Sequence, residues 1–145
     1  MCLDVNIKIH NPLCLKQPFI AQEDFWVYKI LERDKGSSKW YTPYRKMDIE
    51  FGKVYEVEDM VANNNGEVNE GLHAFFKRKA CWHSSSFERV FVAVVPKGSK
   101  YYVGAGGELV SDHLMILKKK HVFPWEKKHL FQNTLTAKAY GLSHD

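Results

Sequence analysis

Apolar residues fall in two kinds of pattern along this chain. The first alternates. Val5, Ile7 and Ile9 are separated by Asn6, Lys8 and His10, and a period of two predicts a half-buried strand, placed at an edge and ended by Asn11-Pro12. The second kind is continuous. Phe25-Trp26-Val27-Tyr28-Lys29-Ile30-Leu31 within Gln22–Glu32, and Arg89-Val90-Phe91-Val92-Ala93-Val94-Val95, are rich in β-branched and aromatic residues on both faces, as interior strands are. Lys29 interrupts the first run. A lysine there either snorkels to the strand end or points into a polar site. Phe51–Val57 and Glu108–Leu117 add two further strands.

Breakers separate these runs. Asp34-Lys35-Gly36-Ser37-Ser38 reads as a turn. Lys39–Glu50 holds Trp40-Tyr41-Thr42-Pro43-Tyr44-Arg45, and its proline confines it to an edge strand or an ordered loop. Glu56–Glu70 is acidic and turn-rich, with a tight turn expected at Asn65-Gly66. Lys97–Gly107 is a glycine-rich hairpin connection: it lacks both the GxxxxGK[ST] pattern and the strand–GxGxxG–helix context that cradle phosphates.

From Gly71 onward, Leu72, Phe76 and Ala80 recur at helical spacing, predicting a short helix over Leu72–His83 closed by Ser84-Ser85-Ser86. Leu130, Phe131, Thr134, Leu135 and Ala139 predict a second over Lys127–Ala139, ending at Gly141. The expected architecture is therefore α+β. It is a single domain, residues 1–145, with a mixed and mostly antiparallel sheet that can be split, one short central helix and a C-terminal helix. Residues 1–120 form the core and 121–145 a tail.

Composition adds little to this frame. With 145 residues, the chain can bury a core without covalent staples. A formal charge of +4 tolerates an anionic partner without demanding one. Cys2, Cys14 and Cys81 are odd in number and lack paired spacing, which points to free thiols in a reducing compartment. Met1–Ile20 is broken by Asp4, Lys8, Asn11 and Pro12, so neither a signal peptide nor a membrane span is expected and the location is cytoplasmic.

Candidate chemistry centres on ring-bearing and basic residues. Trp40, Thr42, Tyr44 and Arg45 supply rings, a hydroxyl and a guanidinium within six positions, suited to stacking on a base and forking onto a phosphate. Lys29, His73 and Trp82 extend that set. No metal site is expected, because the His10, Cys2 and Cys14 spacing is wrong for one and the acidic loop lacks the EF-hand pattern. Ser111-Asp112-His113 is not expected to form a triad, since strand alternation sends Asp112 to the opposite face. Lys118–Lys120 with Lys127 and Lys128 are read as a solvated basic face without a nucleic-acid-binding motif.

The succession of Tyr28-Lys29, Thr42-Pro43-Tyr44, Gly71-Leu72-His73-Ala74-Phe75 and a Val-rich strand, after a Met-Cys-Leu start, resembles small proteins of bacteriophages and prophages of gut bacteria. More distantly, it is similar to the ADP-ribosyltransferase-type split sheet. That second resemblance implies an NAD cleft lined by Lys29 or Tyr28, Thr42 with Tyr44, His73 with Phe75, and Glu108. Together these imply a phage-type accessory protein of the anti-defence kind, which binds a nucleotide-like ligand at Lys29, Trp40, Thr42, Tyr44, Arg45, His73, Trp82 and Glu108 and sequesters a signalling nucleotide in the host cytoplasm. No catalytic residue, cofactor or metal is assigned. Two alternatives remain open: an ADP-ribosyltransferase-like enzyme using NAD, and an inhibitor of a host protein. A homo-oligomer is also open.

Overall fold

The computed structural model describes residues 3–4, 17–43, 46–63, 67–68, 70–78, 81, 87–104 and 107–119. Its strands are β1 (Leu3–Asp4), β2 (Phe19–Ile20), β3 (Phe25–Glu32), β4 (Trp40–Tyr41), β5 (Asp48–Ile49), β6 (Val54–Glu56), β7 (Glu67–Val68), β8 (Leu72–Phe75), β9 (Glu88–Val95), β10 (Lys100–Val103), β11 (Glu108–Ser111) and β12 (His113–Ile116). β1 pairs with β7, and the rest form one antiparallel sheet in the order β2-β10-β11-β8-β3-β9-β12-β6, with the β4–β5 hairpin attached to β3.

The two continuous apolar runs become the centre of that sheet. β3 and β9 pair along their full lengths, from Phe25↔Val95 to Glu32↔Glu88. Val27, Leu31, Val92, Ala93, Val94 and Val95 are entirely buried, each apolar side chain removed from water contributing on the order of 1.5–3 kcal/mol.

A single bent strand sets the shape. β11 and β12 are consecutive, separated only by Asp112, yet they hold different places in the order: β11 lies between β10 and β8, while β12 lies between β9 and β6. The path β11-β8-β3-β9-β12 therefore returns to the strand it left, and the sheet rolls into a small barrel-like closure. Its interior is one cluster containing Val27, Leu31, Ala74, Phe91, Ala93, Val95, Leu109, Leu114 and Ile116. The inward series passes from odd positions, Leu109 and Ser111, to even ones, Leu114 and Ile116. This change of parity is the mark of a β-bulge.

The bulge is tied on every side. The Ser111 hydroxyl accepts from the His113 N–H at 3.2 Å and donates to the His113 carbonyl at 2.8 Å. The Asp112 carboxylate accepts the Lys100 N–H at 2.9 Å, the Asp112 N–H donates to the Lys100 carbonyl at 3.0 Å, and the Asp112 carbonyl accepts the Val57 N–H at 2.8 Å. Ser111-Asp112-His113 is thus a hinge in the backbone. The bulge also breaks the strict alternation expected of it: the Asp112 carboxylate and the His113 ring meet at 2.8 Å. No triad results, because the Ser111 hydroxyl is bound to the His113 main chain.

The α+β expectation does not hold. Among the described residues there is no α-helix. Residues 72–75 of the expected Leu72–His83 helix are strand β8, paired with β11 from Leu72↔Ser111 to Phe75↔Glu108. The spacing misled for a simple reason: positions four apart share a face in a strand as well as in a helix. Leu72, Ala74 and Phe76 all belong to the interior cluster. Residues 76–78 and 81, the described part of the rest of that segment, contain no α-helix either. The expected C-terminal helix, the alternating Val5–Ile9 strand and the Asn65-Gly66 turn lie outside the described residues.

Gly71 explains why β8 can lie so close to β11. Its backbone, at φ 155°, passes so near Val110 that a Cβ placed there would overlap the Val110 side chain. Gly71→Ala is expected to lower stability by about 1–3 kcal/mol through that overpacking. Ser111→Ala is expected to cost about 1–2 kcal/mol, because it strips the bulge of its clasp. Urea denaturation of each variant measures both.

Candidate functional site

The closure has a weak seam. β3 pairs with β9 at eight positions but with β8 only at Tyr28↔Phe75. Beyond that point β3 and β8 part, and a cavity of about 580 Å³ occupies the opening. Its lining combines inward residues (Lys29, Leu72, Ala74, Leu114, Ile116) with residues of the opposite parity (Ile30, His73, Phe75). Both parities are expected where a cavity passes through a seam. Thr42, Pro43, Met47 and Ile49 of the β4–β5 hairpin, with Tyr55 and Val57, cover one side.

Lys29 bridges the seam. Its Nζ donates to the His73 carbonyl of β8 at 2.6 Å, supplying a partner that the missing ladder would otherwise have provided. Burial pulls its pKa down to about 8, opposed only by the Cys81 thiolate when that forms. Burial likewise pushes the Cys81 thiol up to about 11, against the pull of Arg78 and Lys29. Cys81 is accordingly a neutral, unpaired thiol near neutral pH.

The cavity also carries carboxylates. Glu32, Glu70, Glu88 and Glu108 all line the cavity. Glu32 and Glu88 are cross-strand neighbours, and like charges so placed repel. Lys46 lies 3.3 Å from the Glu32 carboxylate and offsets part of this.

Of the residues expected to bind a ligand, Lys29, Thr42, His73 and Glu108 do converge on the cavity. Thr42 also holds its own hairpin: its Oγ1 accepts the Met47 N–H at 3.0 Å. Trp40 goes elsewhere, into the interior, where its ring meets Phe91 edge-on at 4.8 Å and carries the Arg33 guanidinium at 5.0 Å. Tyr44, Arg45 and Trp82 lie outside the described residues. The sequence does not point to Glu32, Glu88 or Tyr55, because their shared position depends on strand register. The one available signal was that Glu32 and Glu88 each stand at an end of a long apolar run.

Among the described residues no group of three His, Cys, Asp or Glu side chains is arranged to hold a metal ion, and no helix is long and apolar enough to cross a membrane. No protein-family model, curated protein or solved structure matches this chain.

The depressed Lys29 pKa has a definite sign in stability. Between about pH 8 and the ordinary lysine range near 10.5, the unfolded chain holds more protons than the folded one, so stability rises with pH. Below about pH 8 the whole cost of burying the ammonium is present. Relative to Lys29→Met, the wild-type protein is expected to gain on the order of 3 kcal/mol across that window, measured by urea denaturation at several pH values.

Proposed function

We propose that this chain is a small-molecule-binding protein whose ligand, a neutral ring-bearing compound, enters the cavity at the β3–β8 seam. The observation that carries the reading is the cavity itself. At about 580 Å³, it falls within the range of ordinary ligand sites, ~300–1,000 Å³, and like them it has mainly apolar walls with a few polar groups. Ile30, Leu72, Phe75, Leu114 and Ile116 supply apolar contact, and Lys29, Thr42 and Tyr55 supply polar anchors.

The charge of the lining narrows the nucleotide-like ligand expected from the sequence. Among the described residues, Glu70, Glu88 and Glu108, with Glu32 paired to Lys46, outweigh Lys29 and disfavour a polyphosphate. The base or nucleoside portion, or another uncharged ring compound, suits the site better. In a phage-type accessory protein the use of such a site would be to hold a host metabolite and withhold it, without turnover.

A thermal-shift series of adenosine, its monophosphate and its diphosphate tests this. The uncharged member is expected to stabilise the fold, by about 2.7 kcal/mol when present at a hundred times its dissociation constant. Each added phosphate is expected to weaken binding about tenfold, near 1.4 kcal/mol. Glu108→Gln and Glu70→Gln should narrow the difference. Tighter binding of the phosphorylated members would overturn the charge argument. No shift with adenosine or with other neutral aromatic compounds would overturn the site.

A further inference from the structure

Lys29 does more in this cavity than fill a gap in a ladder. Its side chain enters from the inward face of β3, in register with Phe91 of β9, and ends at the main chain of β8, 2.6 Å from the His73 carbonyl. The amine therefore spans the seam, bordering a cavity large enough for a small organic molecule and walled by Leu72, Ala74 and Leu114. A salt bridge would fix it in the charged form, but the bond it makes is to a neutral carbonyl. An uncharged amine can keep that bond with one N–H and still have its lone pair available.

We infer that Lys29 is a covalent anchor, forming an imine with a ligand that carries an aldehyde or ketone. This rests on the cavity being the ligand site. In the step, the Lys29 nitrogen lone pair forms a bond to the carbonyl carbon as the carbon–oxygen π bond breaks; the nitrogen gives up its two protons, the oxygen takes up two, and it leaves as water. A carbon–nitrogen double bond remains, and nothing is oxidised or reduced. Capture is reversible by hydrolysis, so the protein can hold such a ligand tightly and release it intact. Burial lowers the proton affinity of this amine, as it does for lysines that act as nucleophiles.

Reductive trapping tests the inference. Full-length protein is incubated with cinnamaldehyde and sodium cyanoborohydride at about pH 8, and the adduct is located by peptide mass mapping. The borohydride supplies the hydride and water the proton that convert the imine to a stable secondary amine. At that pH a lysine titrating near 8 has roughly a hundredfold more neutral amine than a surface lysine. Its weaker nucleophilicity, by the rule that holds for thiols, leaves about a tenfold advantage in rate.

The expected result is labelling of Lys29 about tenfold faster than of any other lysine, rising with a midpoint near pH 8 and slowed by cinnamyl alcohol, which fits the same space but cannot form an imine. Lys29→Arg should abolish that fast phase. The pH profile and the competition by the alcohol, both measured on the wild-type protein, decide the matter even if the variant fails to fold. Labelling spread evenly over the lysines, while cinnamyl alcohol still raises the melting temperature, would overturn the covalent anchor and leave the cavity reading standing. Even labelling with no response to the alcohol would overturn both.

Discussion

Everything in this fold depends on one bent strand. Residues 108–116 serve as partner to β8 in their first half and to β9 in their second, and the change happens within the bulge at Asp112. Without it the sheet would be open, with Leu109 on one wing and Leu114 and Ile116 on the other. With it these side chains meet Val27, Ala74 and Ala93 in a single interior. The bulge is stable because the main-chain groups of Asp112 and His113 find partners in Ser111, Lys100 and Val57. A buried polar group left unpaired would have cost about 1–3 kcal/mol, enough to favour a flatter arrangement.

The same closure explains where the cavity lies. A sheet returning to its first strand must accommodate its twist somewhere, and here β3 and β8 separate after one paired position. The interior is well filled near Phe91, where Trp40 and Phe51 pack against its ring at 4.8 and 5.1 Å. Packing thins toward the seam. Lys29 stands there because an apolar side chain could not serve the His73 carbonyl, while a lysine reaches it at the cost of giving up part of its hydration.

That compromise gives the site its character. A half-buried amine, bound to a carbonyl and bordered by apolar walls, differs from the basic residues that grip phosphate, which usually act through paired guanidinium groups or clusters of main-chain N–H donors. The carboxylates of Glu32, Glu70, Glu88 and Glu108 strengthen the contrast. Together these features are what support the proposed uncharged ligand and the proposed covalent role of Lys29.

The sequence by itself determined the local elements whose signals are short in range. The strands β3 and β9 follow from their dense β-branched and aromatic runs, and the turn at Asp34–Ser37 follows from its residue types. It also singled out Lys29, since a charge inside an apolar strand must have a reason. Sequence could not decide between strand and helix for Leu72–Phe76, because a spacing of four fits both, and only pairing with β11 chose the strand. Nor could it join Glu32 to Glu88 or separate Trp40 from the cavity. Those outcomes rest on register and on the bulge at Asp112, which shifts every inward position after it by one. Such long-range constraints exist only once the sheet has closed.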